Sequence, residues 1–213
     1  MRGQAGWIAA EAAFGMLGTV LTTFLVSRIV GPAEVGRAAL AGALVMLAQP
    51  FVGYCFTNAL VQRARLSDED VASALWASLA AAFAIALPLA AAGLLLPDLL
   101  GPGVGPVLAA LVLMLPFNAV EGTANGVLLR RHTFRVLALR GIGAQLAGLA
   151  AGLSLALAGW GAWAVVGQQL GYAVHAGSNG GQAAGLRFNQ HAGQVFVVGK
   201  QHQGLGPAHF FGH

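Results

Sequence analysis

The chain has 213 residues, of which 57% are hydrophobic and only 8% carry a charge. A soluble domain of this size has about 25% charged residues, because a polar coat must separate its core from water. The composition therefore excludes an ordinary globular protein and predicts that most of the chain lies in lipid. The formal charge of +4 is too small and too scattered to indicate a nucleic-acid-binding surface.

Long apolar runs recur along the chain and predict an all-α, polytopic membrane helix bundle of about six transmembrane helices. About 20 apolar residues are enough for a helix to cross a hydrocarbon core of about 30 Å. The first five runs reach this length, whereas the sixth is short. The predicted helices cover residues 7–30, 39–62, 71–96, 104–129, 136–159 and 161–176.

Turn-forming residues fall between these runs, where the chain leaves the bilayer. A Gly-Pro pair at 31–32 ends the first helix, and Gly-Pro-Gly at 101–103 separates the third helix from the fourth. Ser67 provides an N-terminal cap for the third helix, and the acids at 68–70 complement the dipole of its first turn.

The segment 177–213 differs in composition from the rest, because glycine becomes frequent and five of the six histidines lie from His175 onward. Nothing in it is long enough to span a membrane. We predict a polar, Gly/His-rich tail that is disordered or foreign to the preceding fold. The irregular spacing of its histidines argues against a metal site, and no cofactor is expected. The histidines concerned are His191, His202, His209 and His213.

Basic residues are distributed unevenly between the two sides of the predicted bundle. If the N-terminus is cytoplasmic, nine of the eleven lie inside, and only Arg28 and Arg37 lie outside. Cytoplasmic loops carry an excess of Lys and Arg, so we predict a cytoplasmic N-terminus. The nine residues are Arg2, Arg63, Arg65, Arg130, Arg131, Arg135, Arg140, Arg187 and Lys200.

Polar side chains recur within the predicted helices, where they cost free energy unless they face protein or water. In the fourth helix Asn118, Glu121 and Asn125 lie at i, i+3 and i+7, which places them on one face. Two interpretations stay open: an internal hydrophilic cavity, or hydrogen bonds that hold helices together. The cavity interpretation also includes Glu11 of the first helix and Asn58 of the second.

The fifth helix carries a stripe of small residues, Gly141, Gln145, Gly148 and Gly152, which predicts a close helix-packing face. Arg28, near the outer end of the first helix, can extend to the interface or face an anionic substrate. The residues alone leave that choice open. No grouping of nucleophile, base and carboxylate indicates an enzyme.

Three regions of the chain carry the motifs of a known family. Residues 27–36, Ser-Arg-Ile-Val-Gly-Pro-Ala-Glu-Val-Gly, are similar to the loop after the first helix in polysaccharide transport flippases of the multidrug/oligosaccharidyl-lipid/polysaccharide exporter superfamily. Residues 59–76, with Ala-Leu-Val-Gln-Arg, Leu-Ser-Asp-Glu-Asp and Ala-Leu-Trp, are similar to its second cytoplasmic junction. Residues 129–135 and 159–169 are similar to the link from helix four through helix six. The likeness covers roughly residues 5–176.

This resemblance implies one lobe of a two-lobe flippase in a bacterial inner membrane. Such a protein flips a polyprenyl-pyrophosphate-linked oligosaccharide for lipopolysaccharide or exopolysaccharide biosynthesis. Its partners would be the bilayer, the lipid-linked oligosaccharide, and a second copy or other polysaccharide assembly proteins. The resemblance implies a cationic or hydrophilic cavity with Arg28 as the foremost head-group contact. The other implied lining residues are Glu11, Asn58, Asn118, Glu121 and Asn125.

The resemblance also implies a second lobe after the sixth helix, which this sequence lacks. A truncated and inactive flippase is therefore one interpretation, because alternating access requires two bodies that move against each other. A non-transporting accessory or remnant membrane protein is another. A cation-coupled drug exporter of the same superfamily is a third.

Overall fold

In the computed structural model the described residues, which are 2–62, 67–96, 100–131, 133–184, 186–189 and 194–197, form a helical bundle with one short hairpin. Several features of the sequence lie outside these ranges, including Arg63, Arg65, His132 and the histidines from His191 onward. The helices are α1 (Arg2–Val30), α2 (Pro32–Gln49), α3 (Cys55–Gln62), α4 (Asp68–Leu95), α5 (Val104–Leu111), α6 (Met114–Arg130), α7 (Phe134–Leu157) and α8 (Trp163–Ala184).

Five helical segments in the described part are long and apolar enough to cross a membrane, and they confirm the first five predicted helices. α8 reaches about 33 Å for its 22 residues but is more polar and is not among the five. The exterior of the bundle is apolar, with Met16, Leu17 and Leu47 each about 70% exposed. Such a surface is stable in acyl chains rather than in water.

The second predicted helix is divided in the structure. It begins at Pro32 rather than at residue 39, because proline suits the first turn and Gly31 adopts the positive φ that precedes it. Residues Pro50–Tyr54 form a wider, π-type turn that joins α2 to α3. Pro50 lacks the N–H that a regular helix needs, so the break falls at this residue.

The fourth predicted helix is also interrupted. α5 ends at Leu111 and α6 begins at Met114, with tight turns between them. Pro116 has no N–H to donate to the carbonyl four residues earlier, at Val112, so the regular ladder fails there. Val112 and Leu113, between the two helices, keep αR dihedrals, so Val104–Arg130 continues as one span with a local irregularity.

The first turn of α4 carries the predicted cap. Ser67 accepts a hydrogen bond from the Asp70 amide at 3.1 Å, and the Asp70 side chain accepts one from the Ser67 amide at 3.1 Å. This reciprocal pair satisfies two N–H groups that a helix start leaves without partners.

The small-residue stripe of α7 is a close-packing face, as predicted. A Cβ on Gly148 would lie 2.7 Å from the backbone oxygen of Gln168 in α8, and one on Gly152 would lie 2.7 Å from the Gln168 side chain. Backbones can approach this closely only where no side chain intervenes. The other half of the stripe faces α1, where Gln145 meets Gly18.

The predicted end of the last helix at residue 176 is corrected to Ala184. The glycines beyond 176 are packing positions rather than signs of disorder, since Gly177 lies against Phe117 of α6 and Gly180 against Arg140 of α7. After α8, strands β1 (Leu186–Asn189) and β2 (Gln194–Val197) pair antiparallel, with Leu186 opposite Val197. The remaining tail residues lie outside the described part.

Candidate functional site

A polar cavity of about 660 Å³ lies within the bundle between α1, α2, α3, α6, α7 and α8. Its walls combine apolar side chains such as Met46 and Leu137 with a larger set of polar ones. In a chain whose exterior is apolar, such a cavity is the place where polar or charged atoms can be held at membrane depth. We call it the polar cavity.

The structure brings five of the six candidate residues from the sequence to this cavity. α6 supplies three of them from one face, with Gly122 beside them. α1 supplies Glu11, and α3 supplies Asn58. A face with i, i+3 and i+7 spacing points in one direction, which is why the three α6 residues meet there. These three residues are Asn118, Glu121 and Asn125.

Arg28 is not brought to the polar cavity. It lies 17 residues after Glu11 on the same helix, which is about 25 Å along the axis at 1.5 Å per residue. Its side chain is exposed, with the guanidinium 5.8 Å from the centre of the Phe24 ring. Arg28 therefore lies at the end of α1, outside the polar cavity, and its role as a head-group contact stays a prediction.

Among the described residues that line the polar cavity, the cation is Arg140 of α7, which the sequence analysis counted on the cytoplasmic side. Its side chain is only 5% exposed. One terminal nitrogen, Nη2, lies 3.4 Å from Oε1 of Glu121 and donates a hydrogen bond to Oδ1 of Asn125. The guanidinium thus joins α7 to the polar face of α6.

Two donors of the same guanidinium, Nε and Nη1, have no hydrogen-bond acceptor among the described residues. Nη1 points toward α8, where a Cβ on Gly180 would lie 2.6 Å from it. A buried donor without an acceptor costs about 1–3 kcal/mol, and arginine stays charged in proteins. Arg140 is therefore an incompletely paired cation in the wall of the polar cavity.

Glu11 of α1 lines the polar cavity beside α7. Its carboxylate contacts α7 at Gly141, where a side chain would clash with it. Arg140 acts electrostatically on both Glu11 and Glu121, so one guanidinium serves two carboxylates. An anion that binds Arg140 must therefore compete with carboxylates that already line the cavity.

Two further amides, Gln49 of α2 and Gln169 of α8, also line the polar cavity. The position of Arg140 in the sequence could have indicated its role, since it falls inside the predicted helix 136–159 rather than between helices. At six residues past Phe134 it lies about 9 Å into α7. An arginine at that depth needs a partner on a neighbouring helix.

The opposite end of the bundle, where α1 ends and α2 begins, is held by a cluster around Glu34. Its Oε2 accepts a hydrogen bond from the backbone N–H of Ala162 at 3.2 Å, and its Oε1 pairs with Arg37. The Arg37 side chain lies against Gly103, whose Cβ would be 3.5 Å from Cδ. Three inter-helix connections are thereby tied together, about 20 Å or more from Arg140 along the helices.

Comparison with known proteins gives a consistent picture. Residues 25–177 match the family described as polysaccharide biosynthesis protein. The succinoglycan biosynthesis transport protein ExoT of Rhizobium meliloti (strain 1021) is 31% identical over 166 residues, which is 76% of this chain and 33% of the relative. The chain thus spans about a third of the length of that curated relative. No solved structure matches the chain.

Proposed function

Because this chain belongs to the polysaccharide biosynthesis protein family, we propose that it acts in moving a lipid-linked oligosaccharide across a bacterial membrane, with the polar cavity as the head-group compartment. The name of the relative points to transport rather than catalysis, and we propose no enzymatic activity. The substrate class is a sugar carried on a polyprenyl pyrophosphate, as in exopolysaccharide or lipopolysaccharide biosynthesis.

One observation carries the proposal: Arg140 is buried at membrane depth with two donors that lack acceptors among the described residues. The guanidinium fork matches the oxygen geometry of phosphate, and charge-assisted hydrogen bonds are about twice as strong as neutral ones. The amides of Asn118, Asn125 and Gln169 line the same cavity. Amides both donate and accept, which suits sugar hydroxyl groups.

Glu121 competes with an incoming anion for the Arg140 guanidinium. The distance of 3.4 Å between Nη2 of Arg140 and Oε1 of Glu121 is long for a charge-assisted hydrogen bond. Replacing Glu121 by glutamine removes the competing negative charge while preserving the side-chain volume. We expect Glu121→Gln to tighten pyrophosphate binding.

The test measures binding of a polyprenyl-pyrophosphate oligosaccharide to the purified chain in nanodiscs. Arg140→Gln should weaken binding by about 10- to 100-fold, since a charged hydrogen bond contributes about 1.5–3 kcal/mol. Arg28→Gln is the matched comparison, because it removes the same charge from an exposed position. Loss of binding in Arg28→Gln with no effect of Arg140→Gln would sink the proposal.

We place the N-terminus in the cytoplasm and the chain in the inner membrane. Removing Arg140 from the nine basic residues counted on the cytoplasmic side leaves eight against two. The bias therefore persists without it. Labelling of a cysteine at Arg2 and one at Arg37 from each side of sealed vesicles tests this orientation.

A second candidate function is cation-coupled export, and it is favoured by the two carboxylates, Glu11 and Glu121, that line the polar cavity. The two functions make opposite predictions for Glu121→Gln. In a cation-coupled exporter the substitution should abolish binding of an organic cation such as tetraphenylphosphonium. In a head-group site it should strengthen pyrophosphate binding instead.

A further inference from the structure

A second, smaller cavity of about 310 Å³ lies where α1 packs against α7, at the edge of the bundle. Its walls are mainly apolar and include Ala12, Phe14 and Gly15 of α1 with Ile142 of α7. α1 packs chiefly on α7 and presents its other faces outward, where Met16 is 72% exposed. We call this cavity the α1–α7 groove.

The groove adjoins the polar cavity. Glu11 and Tyr172 line both of them, so these two side chains form the boundary between a polar compartment and an apolar one. A path from the bundle interior to its apolar perimeter therefore runs past Glu11, between α1 and α7.

The groove is a local gap between two close contacts of α1 with α7. On one side Glu11 touches Gly141, and on the other a Cβ on Gly18 would lie 2.9 Å from the Gln145 side chain. Between them, a Cβ on Gly15 would meet no heavy atom within 4 Å. The helices are thus held apart at Gly15 while they are in contact above and below it.

We propose that the α1–α7 groove holds the hydrocarbon chain of the same lipid whose head group occupies the polar cavity, an inference that rests on the proposed function. The hydrocarbon tail of the ligand gains little free energy by moving from the bilayer into the groove, because the bilayer interior is already apolar. The groove matters because it keeps the chain in apolar surroundings while the charged head group lies several ångströms inside the bundle. An amphiphile with a long tail could not occupy the polar cavity without such an exit.

Filling the groove tests this inference. Gly15→Leu places a side chain in the open space, whereas Gly42→Leu on α2 makes the same substitution at another helical glycine with no neighbour within 4 Å and outside both cavities. Two ligands are compared in nanodiscs: a polyprenyl-pyrophosphate oligosaccharide, and the same sugar pyrophosphate without a lipid tail. Gly15→Leu should weaken the long-chain ligand by about tenfold or more, which is typical of overpacking an occupied apolar site. Gly15→Leu should leave the affinity for the tail-less ligand unchanged, and Gly42→Leu should leave the affinities for both ligands unchanged.

The outcomes separate this inference from the proposed function. Equal weakening of both ligands by Gly15→Leu, or no effect on either, overturns the assignment of the groove. If Arg140→Gln does not weaken the tail-less ligand, the head-group assignment fails while the groove result still stands. If neither ligand binds the unaltered chain, both are wrong.

Photo-crosslinking provides a measurement that does not depend on a folded Gly15→Leu variant. Benzoylphenylalanine at Phe14 in the groove should capture a radiolabelled polyprenyl ligand, and unlabelled ligand should suppress the capture. The same label at Leu17, which is 71% exposed on α1 and does not line the groove, should capture only bulk lipid. Capture at Phe14 that excess unlabelled ligand does not reduce overturns the inference.

Discussion

Replacing Arg140 by glutamine tests the charge balance of the polar cavity in the absence of any ligand. The substitution removes the counter-ion of Glu121, whose side chain is only 16% exposed. Breaking a buried ion pair from one side costs about 3–5 kcal/mol. Two guanidinium donors without acceptors are removed at the same time, but the glutamine amide brings two N–H groups of its own, so the removal offsets only about 2 kcal/mol of this loss. We therefore expect Arg140→Gln to lower the free energy of unfolding by a net amount of about 2 kcal/mol.

The double variant Arg140→Gln/Glu121→Gln isolates the cause. Two neutral amides replace the ion pair, so its stability should lie within about 1 kcal/mol of the unaltered chain. The free energy of unfolding is measured by titrating mixed micelles with a denaturing detergent and following tryptophan fluorescence. Arg28→Gln serves as the surface control. A double variant that is no more stable than Arg140→Gln alone would refute the reasoning, because the loss would then not arise from an uncompensated carboxylate.

Three further predictions use the same unfolding measurement. Gly180→Ala should lower stability by about 1–3 kcal/mol, because its Cβ would lie 2.6 Å from Nη1 of Arg140. The loss should shrink in the Arg140→Gln background, and an unchanged loss would argue against that contact. Glu34→Ala removes the acceptor of the Ala162 amide, so stability should fall by about 1 kcal/mol and hydrogen exchange at that amide should rise. Ser67→Ala removes half of the capping pair and should cost about 1 kcal/mol, with faster exchange confined to the first turn of α4. A uniform increase in exchange along α4 would contradict the capping role.

Membrane helices were predictable from the sequence because their stability depends on length and apolar character, both of which are local. The cap at Ser67 and the close-packing face on α7 were predictable for the same reason, since each depends on residues within a few positions of one another. The helix breaks were less accessible. Pro50 begins a π-type turn, whereas Pro116 follows a local irregularity at Val112 and Leu113, and the position of a proline alone does not tell which of the two forms.

The polar face of α6 was visible as a spacing pattern, but its cation was not. Arg140 lies near the start of α7 and was counted only as a basic residue of the cytoplasmic side, and its partners Glu121 and Asn125 are 19 and 15 residues away. No local pattern connects them. Arg28 had the opposite properties: it belongs to a prominent motif, but the structure leaves its side chain exposed at the end of α1.

The glycines after residue 176 were misleading for a related reason. Glycine is frequent in disordered segments and also in close helix contacts, and composition alone does not separate the two. In this chain Gly177 and Gly180 extend α8 against α6 and α7. The space at Gly180 is occupied by the Arg140 guanidinium, so a residue that looks featureless in the sequence shapes the polar cavity.

The order of Glu121 and Arg140 along the chain has a consequence for biogenesis. A lone arginine costs about 2.5–3.5 kcal/mol to insert at the centre of a membrane helix and less nearer the end, where Arg140 lies. The ribosome makes Glu121 19 residues before Arg140, and only a short connection separates α6 from α7. The acidic helix is therefore available when the basic one emerges, and the two can leave the translocon together as a hairpin. The ion pair between Glu121 and Arg140, which lines the mature cavity, thus also lowers the free-energy cost of inserting α7 into the bilayer.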